Sequence, residues 1–280
     1  MTFLKNLSGF LRIEHTFFSL PLIFAGAFLA ADGIFSAKLF VLIVFAGTGA
    51  RTLALALNRI FDRAIDRENP RTEKRELPSG KMCMGEAIAV AAAGALLYLV
   101  SSYLICPLVL LLSPLPLVAF TVYPLMKRFT SLCHFGVGLS LALGPLGGWL
   151  AVRCSFEEIF PAVVLSAFTF LWISGFDIIY ATADEEFDRR RGIYSLVARF
   201  GRRRALIVSR ICHMLSFGFL VFLYLFSFRT FFAFPALLLC GYLLYLEHRS
   251  FGQVDFVFFR TNILIGFAVL FFTLTGIYLP

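Results

Sequence analysis

Long apolar runs are the feature that most constrains this chain. Runs of roughly 20 residues with few charges recur from one end to the other, and that is the length an α-helix needs to cross the hydrocarbon core of a bilayer. The chain is 60% hydrophobic and only 15% charged, whereas soluble domains average about 45–50% apolar and about 25% charged residues. The sequence therefore predicts an all-α, polytopic membrane protein.

The apolar runs define nine predicted transmembrane spans. They cover residues 14–32, 38–61, 85–105, 107–124, 133–152, 157–183, 204–227, 230–247 and 261–279. We expect residues 1–280 to form a single transmembrane domain. No cleavable signal peptide is predicted, because the first run follows Arg12, Glu14 and His15 and further spans come after it.

The positions of the basic residues predict the orientation. Most lysines and arginines lie at the N-terminus or after spans two, four, six and eight, whereas the opposite loops carry only Lys38, Arg153 and Arg229. By the positive-inside rule, the N-terminus is cytoplasmic and the protein lies in the cell (inner) membrane. The net charge of +8 is thus interpreted as topology and contact with anionic lipid, and no nucleic-acid partner is expected.

Cysteine and histidine show no pattern of their own. The cysteines contain no C-x-x-C pair, so neither a disulfide framework nor a zinc site is predicted. Most of them are interpreted as small apolar fillers within spans. His134, His213 and His248 suggest no usable constellation.

Three acid or amide side chains near the end of span two are spaced by four. Asn58, Asp62 and Asp66 would project from one face of a helix, about one turn apart. Two carboxylates stacked in this way repel each other unless a cation lies between them. Oxygen ligands of this kind suit a divalent metal ion.

A basic loop follows this acidic cluster. Arg71, Arg75 and Lys81 flank a Pro-Ser-Gly turn that is predicted to curl over the site, and Tyr123 and Lys127 lie at the same membrane boundary after span four. Carboxylates for a divalent metal beside basic groups for phosphate are the combination that diphosphate binding needs. Three other basic residues are interpreted as ordinary cytoplasmic-side charges: Arg59, Arg63 and Lys74.

A second cluster repeats this pattern in span six. Asp177, Tyr180, Asp184 and Asp188 stand at offsets of three, seven and eleven, again on one helical face. Spans two and six run in the same direction in the predicted topology. Both acidic clusters should therefore reach the cytoplasmic boundary and face each other across the bundle.

Arg51 lies two turns deeper in span two than Asn58. A charged side chain inside a span costs at least about 2.5–3.5 kcal/mol unless it is paired or hydrated. Two interpretations stay open: an internal ion pair, or an anchor for a carboxylate on a substrate that meets the diphosphate. Asp177 is the deepest acid of the second cluster, and we expect it to be functional.

The ordered motifs resemble those of a known family. N-x-x-x-D-x-x-x-D, R-x-L-P-S-G, Y-P-x-x-K-R, D-x-x-Y-A-x-x-D-x-x-x-D and G-I-x-S resemble the UbiA-type intramembrane prenyltransferases. The resemblance implies a bundle of nine helices around a central cavity that opens laterally to lipid. It also implies that two Mg²⁺ ions and a polyprenyl diphosphate bind, and that the prenyl group passes to a hydrophobic acceptor.

The resemblance implies a role for each site residue. The metal ions would be held by Asn58, Asp62 and Asp66 on one side and by Asp184 and Asp188 on the other. The diphosphate would be bound by Arg71, Arg75 and Lys127. The catalytic residues near the reacting carbon and the acceptor would be Asp177, Tyr123 and Tyr180, while Arg51 would face the acceptor's carboxylate. Many members have an Asp where this chain has Arg59, so one carboxylate is missing from the first metal site.

The run from residue 58 to residue 81 is similar to the branch that prenylates a dihydroxynaphthoate in menaquinone biosynthesis, and 4-hydroxybenzoate polyprenyltransferases lie close to it. The expected reaction is prenylation of a carbon of one of these aromatic acids in menaquinone or ubiquinone biosynthesis. The expected partners are a polyprenyl diphosphate, a small aromatic acid and the lipid bilayer, with no obligate protein partner.

Other functions stay open at this point. A prenyltransferase with another acceptor, such as heme or homogentisate, would share the same donor site. A transporter of ions or metals could use intramembrane acids as a translocation path, but here the acids cluster at one membrane face without a Gly or Pro break beside them. A phosphatase acting on lipid diphosphates would need a nucleophile or basic histidine beside the phosphate, and the sequence shows no such pairing.

Overall fold

The computed structural model describes residues 2–11, 16–31, 33–228, 230–249 and 257–279, and it contains no β-strand within those ranges. The predicted all-α fold is confirmed. The helices are α1 Thr2–Leu11, α2 Thr16–Ala30, α3 Ala37–Glu68, α4 Met84–Ile105, α5 Pro107–Leu112, α6 Pro114–Met126, α7 Cys133–Arg153, α8 Phe160–Ala181, α9 Glu185–Arg191, α10 Leu196–Phe200, α11 Arg202–Leu223, α12 Ala233–Arg249 and α13 Val257–Tyr278.

Every predicted span coincides with a helix, and the fourth span with two, α5 and α6, which meet at Ser113. Seven segments in the described part of the chain are long and apolar enough to cross a membrane. The remaining two, α2 and α12, have 15 and 17 residues. The protein is thus a polytopic membrane protein, while nine crossings and a single domain over the whole chain stay predictions. Arg12, Glu14, His15 and Arg229 lie outside the described residues.

Helix α8 is the centre of the bundle. Its residues Leu165, Phe168 and Trp172 are fully buried, and α7 and α11 pack on either side of it. α2 packs on α7 and α13, and α12 packs on α13. On the other side of α7, α6 leads to α3, which packs along α4. This order leaves a space enclosed by α2, α3, α4, α6, α7 and α8.

Glycines allow the backbones of α2 and α7 to touch. A Cβ atom at Gly148 would lie 1.9 Å from the carbonyl oxygen of Ile23, and one at Gly26 would lie 2.0 Å from the carbonyl oxygen of Pro145. Small residues at helix contacts are what allow this close approach in membranes. The neighbouring Gly147 differs, because a Cβ there would meet nothing within 4 Å.

Two cysteines form a disulfide, which the sequence analysis missed. Cys106, between α4 and α5, is bonded to Cys154, directly after α7, and the two Cα atoms are 6.3 Å apart. The prediction that the cysteines are apolar fillers is wrong for this pair. Tertiary packing brings together two positions that are 48 residues apart in sequence, so no local spacing could have shown it. The prediction of small buried side chains does fit Cys133, Cys212 and Cys240, which are buried free thiols.

The prediction that the histidines form no constellation is also wrong. His213 Nδ1 lies 3.0 Å from His248 Nε2, and His213 Nε2 lies 3.4 Å from the fully buried Glu247. Trp172 Nε1 donates to Glu247 Oε1 at 3.5 Å. These side chains come from α8, α11 and α12, so the network ties three helices together in the interior.

The contact at Gly148 predicts a stability difference between adjacent positions. Gly148→Ala places a methyl group against the backbone of Ile23, and such overpacking typically destabilises by about 1–3 kcal/mol. Gly147→Ala, its matched control, has open space and should unfold like the wild type. Thermal unfolding in one detergent checks this, and equal melting temperatures for both variants would contradict the close packing of α2 on α7.

Candidate active site

Two adjoining cavities occupy the space between these helices. A polar chamber of about 210 Å³ lies where α3, α6 and α8 end, and an apolar cavity of about 400 Å³ extends from it between the helices. Asn58, Arg75, Tyr123, Asp177 and Tyr180 line both, so the two spaces meet at these side chains. The polar side chains that line only the chamber include Asp62, Asp66, Asn69, Arg71, Lys127, His134, Asp184 and Asp188.

The first acidic cluster lies on one face of α3, as its spacing predicts. Asp62 Oδ2 accepts from Lys127 Nζ at 2.5 Å and from Asn58 Nδ2 at 3.3 Å. One turn on, both carboxylate oxygens of Asp66 lie 2.9 Å from Arg75 Nη1. Asp62 Oδ1 is buried and makes no hydrogen bond, so this oxygen is available to a further ligand.

The second acidic cluster reaches the same chamber by a less regular path. α8 ends at Ala181, residues Thr182–Asp184 form a 3-10 turn, and α9 follows. The predicted continuous helical face is therefore interrupted. Asp177, Tyr180, Asp184 and Asp188 nevertheless all line the chamber.

Arg71 links the loop after α3 to the second cluster. Its Nε donates to Asp184 Oδ1 at 2.8 Å, its Nη2 donates to Asp184 Oδ2, and Asn69 Nδ2 adds a bond of 2.9 Å to the same carboxylate. Arg71 Nη1 also lies 2.5 Å from the hydroxyl of Tyr180. Burial works against the charged guanidinium, but the bonds to Asp184 and Tyr180 outweigh it and raise the pKa of Arg71 above its ordinary value.

The C-terminal part of the loop after α3 differs from the prediction. Lys81 is exposed, and its Nζ lies 3.5 Å from the carbonyl oxygen of Lys74, so the predicted approach of Lys81 and the Pro-Ser-Gly turn to the site is wrong. The reason is α1: Asn6 Nδ2 donates to the carbonyl of Lys81 at 2.8 Å, and Phe10 packs in one cluster with Leu77. Helix α1 therefore holds the turn aside, while Arg71 and Arg75 remain in the chamber.

Two arginines of α3 line the apolar cavity. Arg51 Nε is buried without a hydrogen-bond partner, and Arg51 makes no ion pair with any residue that the structure describes. An ion pair within the described residues therefore does not explain it. Arg59 is only 4% exposed and also lines this cavity, so its interpretation as an ordinary cytoplasmic-side charge is wrong, whereas Arg63 and Lys74 are exposed as expected.

His134 is a site residue that sequence reasoning missed. Its Nδ1 lies 2.7 Å from Asp177 Oδ2, and its Nε2 accepts from the backbone N–H of Leu196 at 3.3 Å. Because the N–H of Leu196 needs an acceptor, the proton of a neutral ring lies on Nδ1, which donates to Asp177. The partners are 43 residues apart, and no spacing rule connects them.

Tyr123 lies where the two cavities meet. Its hydroxyl donates to the carbonyl of Ala54 at 3.3 Å, which fixes the ring beside α3. Tyr180 lies across the junction with its ring 4.7 Å from the guanidinium carbon of Arg71. Both predicted tyrosines are therefore placed between the polar chamber and the apolar cavity.

The donor set suits a hard divalent cation. Carboxylate and amide oxygens of Asn58, Asp62, Asp66, Asp184 and Asp188 all line the chamber, and one oxygen of Asp62 is unpartnered; this is the ligand chemistry of Mg²⁺. In the described part of the chain, no three acidic, histidine or cysteine side chains converge as a ready metal site. Lys127, Arg75 and Arg71 pair with three of the carboxylates instead.

Curated proteins with similar sequences are 4-hydroxybenzoate octaprenyltransferases. The protein from Photobacterium profundum is 35% identical over 190 residues, which are 65% of this chain and 63% of that protein. The protein from Burkholderia mallei (strain NCTC 10247) is 33% identical over 198 residues, which are 70% of this chain and 67% of that protein. The first match thus spans slightly less than two thirds of the relative's length.

Solved structures show the same architecture. A UbiA homolog from Aeropyrum pernix K1, in its apo form, superposes with a TM-score of 0.83 at 34% identity, covering 92% of this chain and 96% of the other. A UbiA homolog from Archaeoglobus fulgidus bound to DMAPP and Mg²⁺ has a TM-score of 0.77 at 16% identity, over 98% and 100% of the two chains. At that identity the likeness concerns the fold alone.

The sequence profile of the UbiA prenyltransferase family matches residues 19–256, which include both acidic clusters and the loop between α3 and α4. With that match and the relatives above, the chain belongs to the UbiA prenyltransferase family.

Proposed function

We propose that this protein transfers a polyprenyl group from polyprenyl diphosphate to a carbon of an aromatic acid in respiratory quinone biosynthesis. One observation carries the proposal: a chamber lined by carboxylates and basic side chains opens into an apolar cavity between the helices. This arrangement matches a substrate with a diphosphate at one end and a hydrocarbon chain at the other. The names of the similar curated proteins support the aromatic acid.

The diphosphate binds in the chamber. Arg71, Arg75 and Lys127 are the basic groups there, and guanidinium groups bind phosphate oxygens with two parallel hydrogen bonds. When the diphosphate takes these cations, the carboxylates of Asp62, Asp66 and Asp184 lose their present partners. Those carboxylates, with Asn58 and Asp188, would then hold Mg²⁺, which supplies positive charge that stabilises the departing diphosphate.

The reacting carbon lies at the junction of the cavities. Tyr123 and Tyr180 line this junction, and the faces of aromatic rings attract cations. An allylic cation formed there is stabilised by the rings, and the apolar walls exclude the water that would convert it to an alcohol. The prenyl chain occupies the apolar cavity along α3.

The acceptor is held from two sides. Arg51 is a charged group in the apolar cavity without an acid partner among the described residues, and an aromatic carboxylate would supply that partner. Asp177 lies at the junction, fixed by His134. It can take the ring proton after the new carbon–carbon bond forms, which restores the aromatic ring.

The active site faces the cytoplasm in this proposal. Most lysines and arginines lie in the loops at the chamber end of the bundle, which is the cytoplasmic end by the positive-inside rule. The disulfide between Cys106 and Cys154 joins the C-terminal ends of α4 and α7, which lie on the side of the bundle away from the chamber. Because disulfides persist outside the reducing cytoplasm, its position supports the same orientation.

The metal and diphosphate assignment predicts loss of activity in two variants. Asp62→Asn and Asp184→Asn should each lower prenyl transfer to any acceptor by at least about 100-fold, because charge stabilisation of the leaving group is lost. Glu68→Gln is the matched control, since Glu68 ends α3 but is half-exposed and pairs with Arg191. Purified enzyme with saturating Mg²⁺ and labelled prenyl diphosphate gives the rates; wild-type rates in the aspartate variants would refute the assignment.

The Arg51 anchor predicts a loss that depends on the acceptor. Arg51→Ala should reduce turnover of 4-hydroxybenzoate much more than turnover of its uncharged amide, because only the acid uses the guanidinium. Arg63→Ala removes an exposed arginine of the same helix and should change neither rate. If Arg51→Ala lowered both rates equally, Arg51 would not bind the carboxylate.

The contact between His134 and Asp177 predicts different effects of two substitutions. His134→Asn keeps an N–H donor close to the position of Nδ1, whereas His134→Leu removes it. We expect His134→Leu to lower kcat about tenfold or more, to shift its pH profile and to leave the KM for the diphosphate unchanged, with much of kcat retained in His134→Asn. Equal effects of both variants would mean that His134 only fills space.

A further inference from the structure

Arg59 is a buried arginine with no part in the binding of metal or diphosphate described above. It stands three residues before Asp62 and seven before Asp66, so it shares their buried face of α3. Its side chain is 4% exposed and lines the apolar cavity, whereas the basic groups assigned to the diphosphate all line the polar chamber. Arg59 therefore faces the space in which the prenyl chain and the acceptor meet.

The apolar cavity carries more positive than negative charge. The charged side chains among its described lining residues are three arginines and one aspartate: Arg51, Arg59, Arg75 and Asp177. Arg75 pairs with Asp66, and Asp177 lies 2.7 Å from His134. The other titratable groups among these lining residues are Tyr98, Tyr123 and Tyr180. A charge in apolar surroundings is costly unless it is paired, so the cavity favours an anionic ligand.

The two arginines of α3 can contact opposite ends of one aromatic ring. Arg51 and Arg59 are eight residues apart, which is about 12 Å along the helix axis, and Arg51 lies further from the chamber. In the proposed function, Arg51 binds the carboxylate of the acceptor. The opposite end of the ring then lies nearer the chamber, on the side of Arg59, and in 4-hydroxybenzoate that end carries the hydroxyl group.

We propose that Arg59 binds the ring hydroxyl of the acceptor as a phenolate, so that the acceptor needs a carboxylate for Arg51 and an ionisable hydroxyl for Arg59. The proposal rests on the proposed function, since it concerns the acceptor of that reaction. A guanidinium has only N–H donors, and it therefore binds the hydroxyl oxygen as an acceptor. An ionised oxygen suits it best, because charge-assisted hydrogen bonds are roughly twice as strong as neutral ones.

The charge of Arg59 also decides which form of the acceptor reacts. Attack by a neutral phenol would place positive charge on the ring and its oxygen, beside a guanidinium that repels it. A phenolate, whose proton has left to water through the chamber, gives a neutral dienone instead. Its ortho carbon bonds to the prenyl carbon, and the diphosphate leaves with the electron pair of the broken carbon–oxygen bond. Asp177 then takes the ring proton, and the electron pair of that C–H bond restores the aromatic phenolate on Arg59.

The first experiment measures the contact between Arg59 and the hydroxyl by binding alone. Titration calorimetry gives the affinities of 4-hydroxybenzoate and benzoate for the wild type and for Arg59→Gln, both in nanodiscs. Loss of the hydroxyl should weaken binding to the wild type about tenfold or more, but should hardly change binding to Arg59→Gln. Arg63→Gln, at an exposed arginine of the same helix, is the matched control and should behave like the wild type.

The second experiment follows the ionisation of a bound acceptor analogue. 4-Hydroxy-3-nitrobenzoate turns yellow when its hydroxyl ionises, and its nitro group withdraws electrons from the ring and so opposes prenylation. Visible absorption against pH should show that the analogue bound to the wild type ionises about one pH unit below the free analogue, a tenfold change in the equilibrium. The shift should disappear in Arg59→Gln and persist in Arg63→Gln, whereas a residue that only fills space would not move it.

The outcomes separate this proposal from the proposed function. An equal effect of the hydroxyl on binding to the wild type and to Arg59→Gln would overturn it, as would equal ionisation of the analogue on both proteins. If Arg59→Gln does not fold, the wild type alone decides, since the bound analogue must ionise at lower pH than the free one. An analogue that 4-hydroxybenzoate does not displace from the wild type also counts against the proposal. Failure of the wild type to prenylate any aromatic acid would refute the proposed function, while both binding experiments would still decide on Arg59.

Discussion

Pairing between carboxylates and basic side chains determines the shape of the chamber end of this protein. Asp62, Asp66 and Asp184 stand where two apolar helices end, and each is neutralised by a side chain from another element. Removal of one partner from a fully buried ion pair destabilises a protein by about 3–5 kcal/mol. The basic partners here are 22–25% exposed. Removal of one of them should therefore also destabilise the protein, but by less. These pairs draw the loop after α3 across the chamber. In the proposed function, diphosphate and metal would replace each partner, so the same pairs would keep the chamber folded before substrate binds.

Much of this site follows from helical spacing alone. Asn58, Asp62 and Asp66 share a face because residues four apart do so in any α-helix, and the apolar runs on either side determine the depth at which they lie. The second cluster was predicted with the same rule, and it tolerates the 3-10 turn at Thr182–Asp184. Buried carboxylates need basic partners, and the positions of Arg71 and Arg75 in the chamber agree with this.

The parts that spacing could not show are contacts between distant segments. His134 meets Asp177, and Cys106 meets Cys154, only after α7 has packed against its neighbours. The position of Lys81 depends on α1, which folds over the loop through Asn6. Arg59 was misjudged because its rotation around α3 places it in the apolar cavity, although its neighbours in sequence suggest a surface charge. For His134, the two cysteines and Lys81, the deciding contact joins distant segments, and no spacing in the sequence shows it.

The most direct measurement is a structure of the protein with a prenyl thiodiphosphate, which resists cleavage, and Mn²⁺, which is visible by anomalous scattering. We expect manganese beside Asp62 and Asp184, the diphosphate on Arg71, Arg75 and Lys127, and the hydrocarbon chain along α3 towards Ile43. Ligand bound elsewhere, with the three ion pairs of the chamber still intact, would contradict it.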